Sequence, residues 1–199
     1  MSMNALAHLR TILWTLVVVA AVGATGLYAY ATMMRPAPVA GLGHGDYQLS
    51  THEGAPFTRA SFNGNPSMLF FGFTHCPDVC PTSLAEMTNW YEQLGAEAAD
   101  LKAYFVTVDP ERDTEAIIGD YVAWTGRVTG LTGTPEQVGK AARAWAVHYE
   151  KVPLDGGDYT MDHTASIFLL DRNGEFQGTI AYRESNDTAL AKLRRLIGG

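Results

Sequence analysis

The sequence predicts an α/β domain in which helices flank a central mixed sheet. Two continuous apolar runs, SMLFFGF at 67–73 and LKAYFVTV at 101–108, have the composition of strands that are buried on both faces. Segments with helical spacing of apolar residues follow these runs, and a strand–turn–strand pattern precedes the last helix. Strands that alternate with helices and end in a hairpin and helix are typical of a mixed sheet with helices on its faces.

The remaining elements are predicted from local patterns and from turn residues. Thr134 and Pro135 form an N-cap followed by proline at the first helical position, and DRNG at 171–174 is a tight turn. In chain order the predicted elements are short strands and turns over 46–62, strand 67–73, a turn and helix over 74–94, strand 101–108, helix 114–125, helix 134–145, strand 147–152, strand 166–170, strand 175–181 and helix 186–197. This order matches a thioredoxin-like fold, in which sites lie at the carboxyl ends of strands, and Cys76 lies at such an end.

The composition indicates a globular protein that does not bind nucleic acid. The chain has 199 residues, of which 47% are hydrophobic and 18% charged, and its formal net charge is −7. These values are typical of a packed domain. Because the sequence offers no basic stripe to neutralise phosphates, nucleic acid is not expected as a partner.

An uncharged N-terminal segment predicts a membrane anchor. Residues 11–34 carry no charged side chain and are long enough to span a bilayer as a helix. Trp14 near one end, with Tyr28 and Tyr30 near the other, fits the aromatic belt at membrane interfaces. The short flank before the span, with its amino group and Arg10, is expected to stay in the cytoplasm, so the rest of the chain lies outside.

The predicted organisation is a short cytoplasmic N-terminus, a transmembrane anchor, a linker rich in Pro, Gly and Ala, and a thioredoxin-like domain, over 1–10, 11–34, 35–45 and 46–199. A cleaved signal peptide is the competing interpretation, since AYA at 29–31 has the form of a cleavage site, although the apolar region is longer than usual. Both interpretations export the domain. The segment lacks the composition of a mitochondrial transit peptide, so we expect a single-pass bacterial inner-membrane protein with its domain in the periplasm.

The chain contains two cysteines, Cys76 and Cys80. They close too short a loop to stabilise a fold, so we expect a redox pair or metal ligands. They straddle the predicted start of a helix, where positions i and i+4 share one face and the helix N-terminus favours the thiolate. Two thiolates are soft ligands that favour Cu(I) and also Zn(II).

His163 is the best candidate for a third ligand among the six histidines. It is predicted in a loop just before strand 166–170, and the equivalent segment packs against the cysteine turn in thioredoxin-like domains. His8 precedes the membrane span, and the side chain of His75 is expected to diverge from the two sulfurs. A lone histidine is more often structural, so the site is indicated by the combination of three residues that the fold brings close.

Four blocks of sequence resemble, in this order, the Sco/SenC family of cytochrome c oxidase assembly proteins. They are GFTHCPDVCPTSL at 72–84, VDPERDT at 108–114, LTGTPEQV at 131–138 and YTMDHTASIFLLDRNG at 159–174. The resemblance covers about residue 46 to the C-terminus and extends to the N-terminal anchor. One minor departure is Glu115 after VDPERDT, where the family often has proline.

The resemblance implies that Cys76, Cys80 and His163 bind one copper ion, as Cu(I) or Cu(II). It implies a metallochaperone, not an enzyme, that delivers copper to the dinuclear centre of cytochrome c oxidase subunit II. Thiol–disulfide exchange with the cysteines of that subunit, through a redox-active Cys76–Cys80 disulfide, is also proposed for the family. Other periplasmic copper chaperones and thioredoxin-like reductases are further expected partners.

Three aspartates are candidates for a supporting role near the site. Asp78 lies between the cysteines, Asp109 begins a charged loop, and Asp162 precedes His163 and is a candidate to orient its imidazole. Each also has an ordinary explanation. Acids favour helix N-termini, which would account for Asp78, and charged loops form turns and surface ion pairs, which would account for Asp109. Adjacent residues rarely reach each other's rings, which counts against Asp162.

The alternative function is thiol–disulfide oxidoreduction. Enzymes of thioredoxin type usually combine C-x-x-C with a cis-proline opposite the pair, whereas the spacing here is one residue longer and 159–170 contains no proline. This favours metal binding, although a dithiol at this position retains redox activity. A thiol peroxidase is disfavoured, because the sequence offers no convincing Thr and Arg constellation around a peroxidatic cysteine.

Overall fold

The computed structural model describes residues 3–33 and 41–199, which form an N-terminal helix and a separate compact domain. The helix, α1, spans Met3–Met33, and its segment Arg10–Tyr28 is long and apolar enough to cross a membrane. The predicted helix is therefore confirmed, while its insertion in a membrane stays a prediction. Residue 34 of the predicted anchor and residues 35–40 of the predicted linker lie outside the described residues.

A seven-stranded mixed sheet forms the centre of the domain, and a two-stranded hairpin lies apart from it. The strands are β1 (Gln48–Thr51), β2 (Pro56–Thr58), β3 (Ser67–Gly72), β4 (Lys102–Thr107), β5 (Val128–Thr132), β6 (Tyr149–Pro153), β7 (Tyr159–His163), β8 (Ile167–Leu170) and β9 (Phe176–Ile180). The order across the sheet is β2-β1-β5-β4-β3-β8-β9, and β6 pairs with β7. Strands β3, β4 and β5 are parallel, with an antiparallel pair on each side.

Central strand β3 is buried along its whole length, which explains its continuous apolar run. Successive side chains of a strand point to opposite faces. Phe70 packs against Phe105 of β4, and Phe71 packs against Phe168 of β8. Both faces of the sheet therefore carry core, and the predicted thioredoxin-like architecture is confirmed.

The described part of the domain contains four α-helices: α2 (Val79–Leu94), α3 (Glu115–Val122), α4 (Pro135–Ala144) and α5 (Asn186–Gly198). Short 3-10 helices lie at Arg59–Phe62, Gly95–Ala98 and Ala123–Thr125. Thr114, Thr134 and Ser185 cap α3, α4 and α5, each accepting a hydrogen bond from the backbone N–H three residues later. The predicted N-cap and N1 proline of α4 are thus present.

The structure differs from the prediction in three places. The sequence does not predict β5, which forms because β4 and β1 pair with it from both sides. The predicted loop around His163 is the end of strand β7. Residues 41–45 of the predicted linker pack on the domain: Gly43 N–H donates to the Ala144 carbonyl (2.7 Å), and a side chain at Gly43 would clash with Trp145.

Candidate metal centre

The cysteine turn joins β3 to α2 at the carboxyl edge of the parallel strands. Cys76 lies half-buried in the turn, Cys80 lies fully buried in the first turn of α2, and both are free thiols. The Cys80 N–H points to Cys76 Sγ (3.4 Å). A Cβ on Gly72, the last residue of β3, would lie 2.8 Å from Cys80 Sγ. Glycine is therefore required at the strand end, because a side chain would displace the sulfur.

His163 faces the cysteines from the end of β7. Its Nε2 lies 3.6 Å from Cys80 Sγ, and its Nδ1 lies 2.9 Å from the Thr164 carbonyl oxygen. A carbonyl only accepts, so Nδ1 carries the proton and the lone pair of Nε2 points to the sulfurs. Phe70 and Phe73 contact the imidazole edge-on, with centroids 6.1 Å and 5.8 Å away. The ring is thus oriented as a ligand.

The Cys76 and Cys80 sulfurs and an imidazole nitrogen of His163 lie within 4.8 Å of one another. A metal with bonds of about 2.0–2.3 Å to such atoms fits inside this triangle. Two soft sulfurs with one imidazole suit copper, and zinc is the competing ion on chemistry alone. The three residues chosen from the sequence are therefore brought together in a geometry that fits a metal ion.

The two cysteines hold one proton between them. The hydrogen bond from Cys80 lowers the pKa of Cys76 to about 3 against the opposing effect of burial, and the N–H groups of Cys80 and Asp78 add to this lowering. The same bond, together with burial, strongly raises the pKa of Cys80. Cys76 is therefore the thiolate at neutral pH, and an incoming metal has to displace the proton of Cys80.

The buried carboxylate of Asp113 holds the cysteine turn in place. The sequence alone does not single out this residue. Its fully buried carboxylate accepts hydrogen bonds from Thr74 Oγ1 (2.6 Å), Thr74 N–H (3.0 Å) and Thr107 Oγ1 (2.7 Å). Its carbonyl accepts from Thr132 Oγ1 (2.8 Å). Threonines at or just after the ends of three parallel strands are the sequence signal that points to such an acceptor.

Asp109 supports the hairpin rather than the metal ligands directly. Its buried carboxylate accepts hydrogen bonds from Arg112 Nε and from Tyr159 Oη (2.8 Å). The Arg112 guanidinium also covers the Tyr159 ring, 3.7 Å from its centroid, and donates to the Tyr159 carbonyl (3.0 Å). Tyr159 begins β7 and His163 ends it. The cluster of Asp109, Arg112 and Tyr159, which we call the hairpin clamp, therefore holds the strand that carries the candidate third ligand.

The other two candidate aspartates are exposed. Asp78 at the start of α2 accepts a hydrogen bond from Thr82 Oγ1 (3.4 Å), and its contribution to Cys76 comes from its backbone N–H. The prediction that Asp162 orients the imidazole is corrected: neighbours in a strand point to opposite faces, and the Thr164 carbonyl takes this role. His75 is exposed, with Nδ1 near Thr74 Oγ1 (3.1 Å), and diverges from the sulfurs as predicted.

These features define a class: a thioredoxin-like domain in which two thiols and an imidazole converge at the carboxyl ends of the parallel strands. The SCO1/SenC family matches residues 37–198. The chain belongs to this family, and the resemblance noted in the sequence is confirmed.

Individual relatives share both sequence and fold with this chain. The mitochondrial Protein SCO2 homolog of Mus musculus is 40% identical over 163 residues, which are 79% of this chain and 64% of the relative. The chain therefore spans just under two thirds of that relative. The structure of Bradyrhizobium japonicum ScoI with copper bound is 42% identical, with a TM-score of 0.70, over 75% of this chain and 96% of that one. The structure of yeast Sco1 with copper bound is 30% identical, with a TM-score of 0.73, over 79% of this chain and 89% of that one.

Proposed function

We propose that this protein is a copper metallochaperone that binds one copper ion through Cys76, Cys80 and His163. The observation that carries the proposal is the convergence of the two sulfurs and the imidazole within 4.8 Å. Copper-bound structures of ScoI and Sco1, both at 30% identity or more, support copper over zinc as the cargo.

The proposed recipient is the dinuclear copper centre of cytochrome c oxidase subunit II. Support comes from the family, since Sco proteins are cytochrome c oxidase assembly proteins. The three-ligand site suits a donor, because a copper ion with three ligands can accept a sulfur or nitrogen from the recipient before it leaves. Cys76, as the half-buried thiolate, is the ligand that an approaching recipient reaches first.

The proposed location is the bacterial inner membrane, with a single span predicted over 11–34, of which 11–33 belong to α1, and with the domain in the periplasm. The uncharged length of the segment supports the span, and the short flank with Arg10 supports a cytoplasmic N-terminus. A membrane tether would keep the donor close to a membrane-bound oxidase and raise its effective concentration there.

Thiol–disulfide exchange with the recipient is the second candidate function. The Cys76 thiolate would attack a disulfide of the recipient and form a mixed disulfide with release of one thiolate. Cys80, after losing its proton, would then attack Cys76, leaving a Cys76–Cys80 disulfide and a second free thiol on the recipient. The low pKa of Cys76 favours the first step, whereas the raised pKa and full burial of Cys80 disfavour the second.

Copper transfer in vitro tests the proposal. The domain is loaded with one equivalent of Cu(I) and mixed with the reduced, metal-free soluble domain of oxidase subunit II, and copper is measured on each protein after separation. We expect copper to move to subunit II, and none to move from protein oxidised to the Cys76–Cys80 disulfide, which lacks thiolate ligands. Retention of all copper by the donor would contradict delivery to this recipient.

A second arm separates the two candidates. Metal-free donor is mixed with oxidised subunit II, and free thiols are counted on each protein. Stoichiometric appearance of two thiols on subunit II, without copper transfer in the first arm, would establish the reductase function in place of the chaperone function.

A further inference from the structure

A cavity of about 540 Å³ is lined by the β8–β9 hairpin and by helix α5. This volume lies within the range of roughly 300–1,000 Å³ that is usual for small-ligand sites. The hairpin turn follows Leu170, which pairs with Ser67 at the start of β3, whereas the cysteine turn follows Gly72 at the other end of that strand. The cavity and the candidate metal centre therefore lie at opposite ends of a strand roughly 17 Å long.

Part of the cavity lining is apolar, and a glycine leaves it open. Leu169 and Leu196 line the cavity and are buried. Gly178 pairs directly with Leu169 across the β8–β9 hairpin, so a side chain at this position would stand on the same face as Leu169. A Cβ placed on Gly178 would meet no atom within 4 Å. Room for the apolar part of a ligand therefore remains beside Leu169.

The cavity is also lined by three cationic side chains, those of Arg172, Lys192 and Arg195. Arg172 lies in the turn of the β8–β9 hairpin, while Lys192 and Arg195 are three residues apart on α5 and so share a face of that helix. The whole chain has a formal net charge of −7, so these cations reverse the charge of the protein locally. Such a cavity attracts anions.

The three cations differ in how they are paired. Lys192 Nζ donates a hydrogen bond to Glu184 (2.9 Å), and Arg172 donates one to Asp100 (3.2 Å). The Arg195 side chain has no hydrogen bond or ion pair with any other residue that the structure describes. Arg195 is therefore the cation that is free to bind a ligand.

An acid in the lining, Asp171, does not oppose an anion, because its carboxylate is engaged within the hairpin. It accepts hydrogen bonds from Asn173 N–H (2.8 Å), Glu175 N–H (2.9 Å) and Gln177 Nε2 (2.8 Å). The charge that remains available to a ligand is therefore positive.

A planar guanidinium binds phosphate and carboxylate through paired N–H donors, and several cations in one cavity favour the more highly charged phosphate. We propose that this cavity binds a phosphate ester with a small organic body. Arg195 holds the phosphate, and the organic body packs on Leu169 and Leu196.

Phospholipid headgroups and soluble phosphate esters share this chemistry. The β8–β9 hairpin also contacts the segment that follows the predicted anchor and linker in the chain, since His44 Nε2 lies 3.1 Å from the carboxylate of Glu175. A phospholipid headgroup is therefore the expected source of the phosphate.

The experiment uses the full chain in a nonionic detergent and titrates it with sn-glycerol 3-phosphate in a calorimeter. Arg195→Gln removes the free cation, so its affinity should fall about 10-fold. Arg194→Gln removes the same charge from the adjacent position, where the side chain pairs with Glu97 (3.3 Å), and should match the parent. Unfolding midpoints show whether both variants are folded. Equal losses of affinity in the two folded variants would overturn the proposal, because the net charge of the protein would then account for binding.

A second arm distinguishes the two sources of the phosphate. The full chain is placed in lipid nanodiscs of phosphatidylcholine alone or with added phosphatidylglycerol, and amide hydrogen exchange is measured in β9 and α5. Slower exchange with phosphatidylglycerol, lost in Arg195→Gln, would identify the headgroup as the ligand. Unchanged exchange together with binding of sn-glycerol 3-phosphate would identify a soluble ester. Absence of both effects would overturn the proposal. Cu(I) affinity should be the same in all variants, so this result is independent of the proposed function.

Discussion

The cysteine turn and the histidine hairpin carry the candidate ligands of the same site, but they are held in place by different means. The turn lies between a buried central strand and α2, and the buried carboxylate of Asp113 ties it to the end of β4. The hairpin of β6 and β7 is a separate two-stranded sheet in which Met161 is the buried residue. It is attached to the rest of the domain through the hairpin clamp, while hydrogen bonds between Thr164 and His148 continue its own ladder.

This difference indicates how a site can be both specific and able to release its ion. Two ligands are set by the core and keep their positions as long as the domain is folded. The third is set by a peripheral element, and such elements open at a lower free energy than global unfolding. Movement of the hairpin would therefore weaken the site without unfolding the protein.

The largest expected effect comes from a ligand on the core side. Cys80→Ser replaces a soft thiolate with a hard hydroxyl and should lower Cu(I) affinity on the order of 1,000-fold. Competition with a chromophoric Cu(I) chelator measures the change. Ser83→Ala, at a buried position one turn further along α2, is the control and should keep the affinity. A variant of Cys80 that binds as tightly as the parent would exclude this sulfur from the site.

Stability is the next test of the core side. Asp113→Ala leaves the Thr74 and Thr107 donors unpaired in the interior and should lower the free energy of unfolding by about 3 kcal/mol. Urea denaturation of the metal-free domain measures it. Asp162→Ala removes an exposed acid next to a ligand and should stay within about 0.5 kcal/mol of the parent. Equal losses in both variants would show that Asp113 does not hold the turn.

On the hairpin side we expect a smaller, local effect. Arg112→Met breaks the hairpin clamp, so amide hydrogen exchange should accelerate in β6 and β7. The expected loss is about 1 kcal/mol in the free energy of local opening, with little change in the central strands. Lys151→Met is the matched control, because Lys151 also lies over Tyr159 (4.6 Å) but pairs with the exposed Glu111. If protection falls equally in β3 and β7, the hairpin is not an independent element.

The smallest expected effect is the pH dependence of metal-free stability. In the unfolded chain both cysteines have a pKa of about 8.5. In the folded state the pKa of Cys76 is about 3. Between that pH and about 8.5 the folded state therefore binds fewer protons than the unfolded chain, so the contribution of the two cysteines to the free energy of unfolding rises with pH. Above that pH folded Cys80, whose pKa is raised, keeps a proton that the unfolded chain loses. The contribution of the two cysteines to the free energy of unfolding then falls. Solvent screening at half-buried Cys76 keeps the effect small.

This pH profile is measured as the difference in unfolding free energy between the parent and a Cys76→Ser, Cys80→Ser double variant. The difference should pass through a maximum near pH 8–9. A difference that declines steadily from pH 5 upwards would mean that the folded protein does not hold a Cys76 thiolate.

The sequence predicts the central strands and the cysteine turn well, because their signals are local, and the three candidate ligands chosen from it lie together in the structure. The apolar run of β3 and the C-x-x-x-C spacing at a strand end are readable without knowledge of distant contacts. Strand β5 was missed because VTGLT is short and diluted by Gly and Thr, and its strand conformation depends on partners far away in the chain.

The supporting residues of the site were harder to predict. Asp113 is one of several charges in a loop, and only the fold shows that two threonines converge on it. Adjacency in sequence makes Asp162 a candidate partner of His163, whereas strand geometry turns its side chain away.

X-ray absorption at the copper edge, combined with Cu(I) affinity, tests the central claim of a two-sulfur, one-imidazole site most directly. In the parent we predict about two sulfurs at about 2.3 Å and one imidazole nitrogen at about 2.0 Å. In His163→Ala the nitrogen contribution should vanish and the affinity should fall about 100-fold, while His75→Ala should match the parent. An unchanged nitrogen contribution and unchanged affinity in His163→Ala would contradict the three-ligand site.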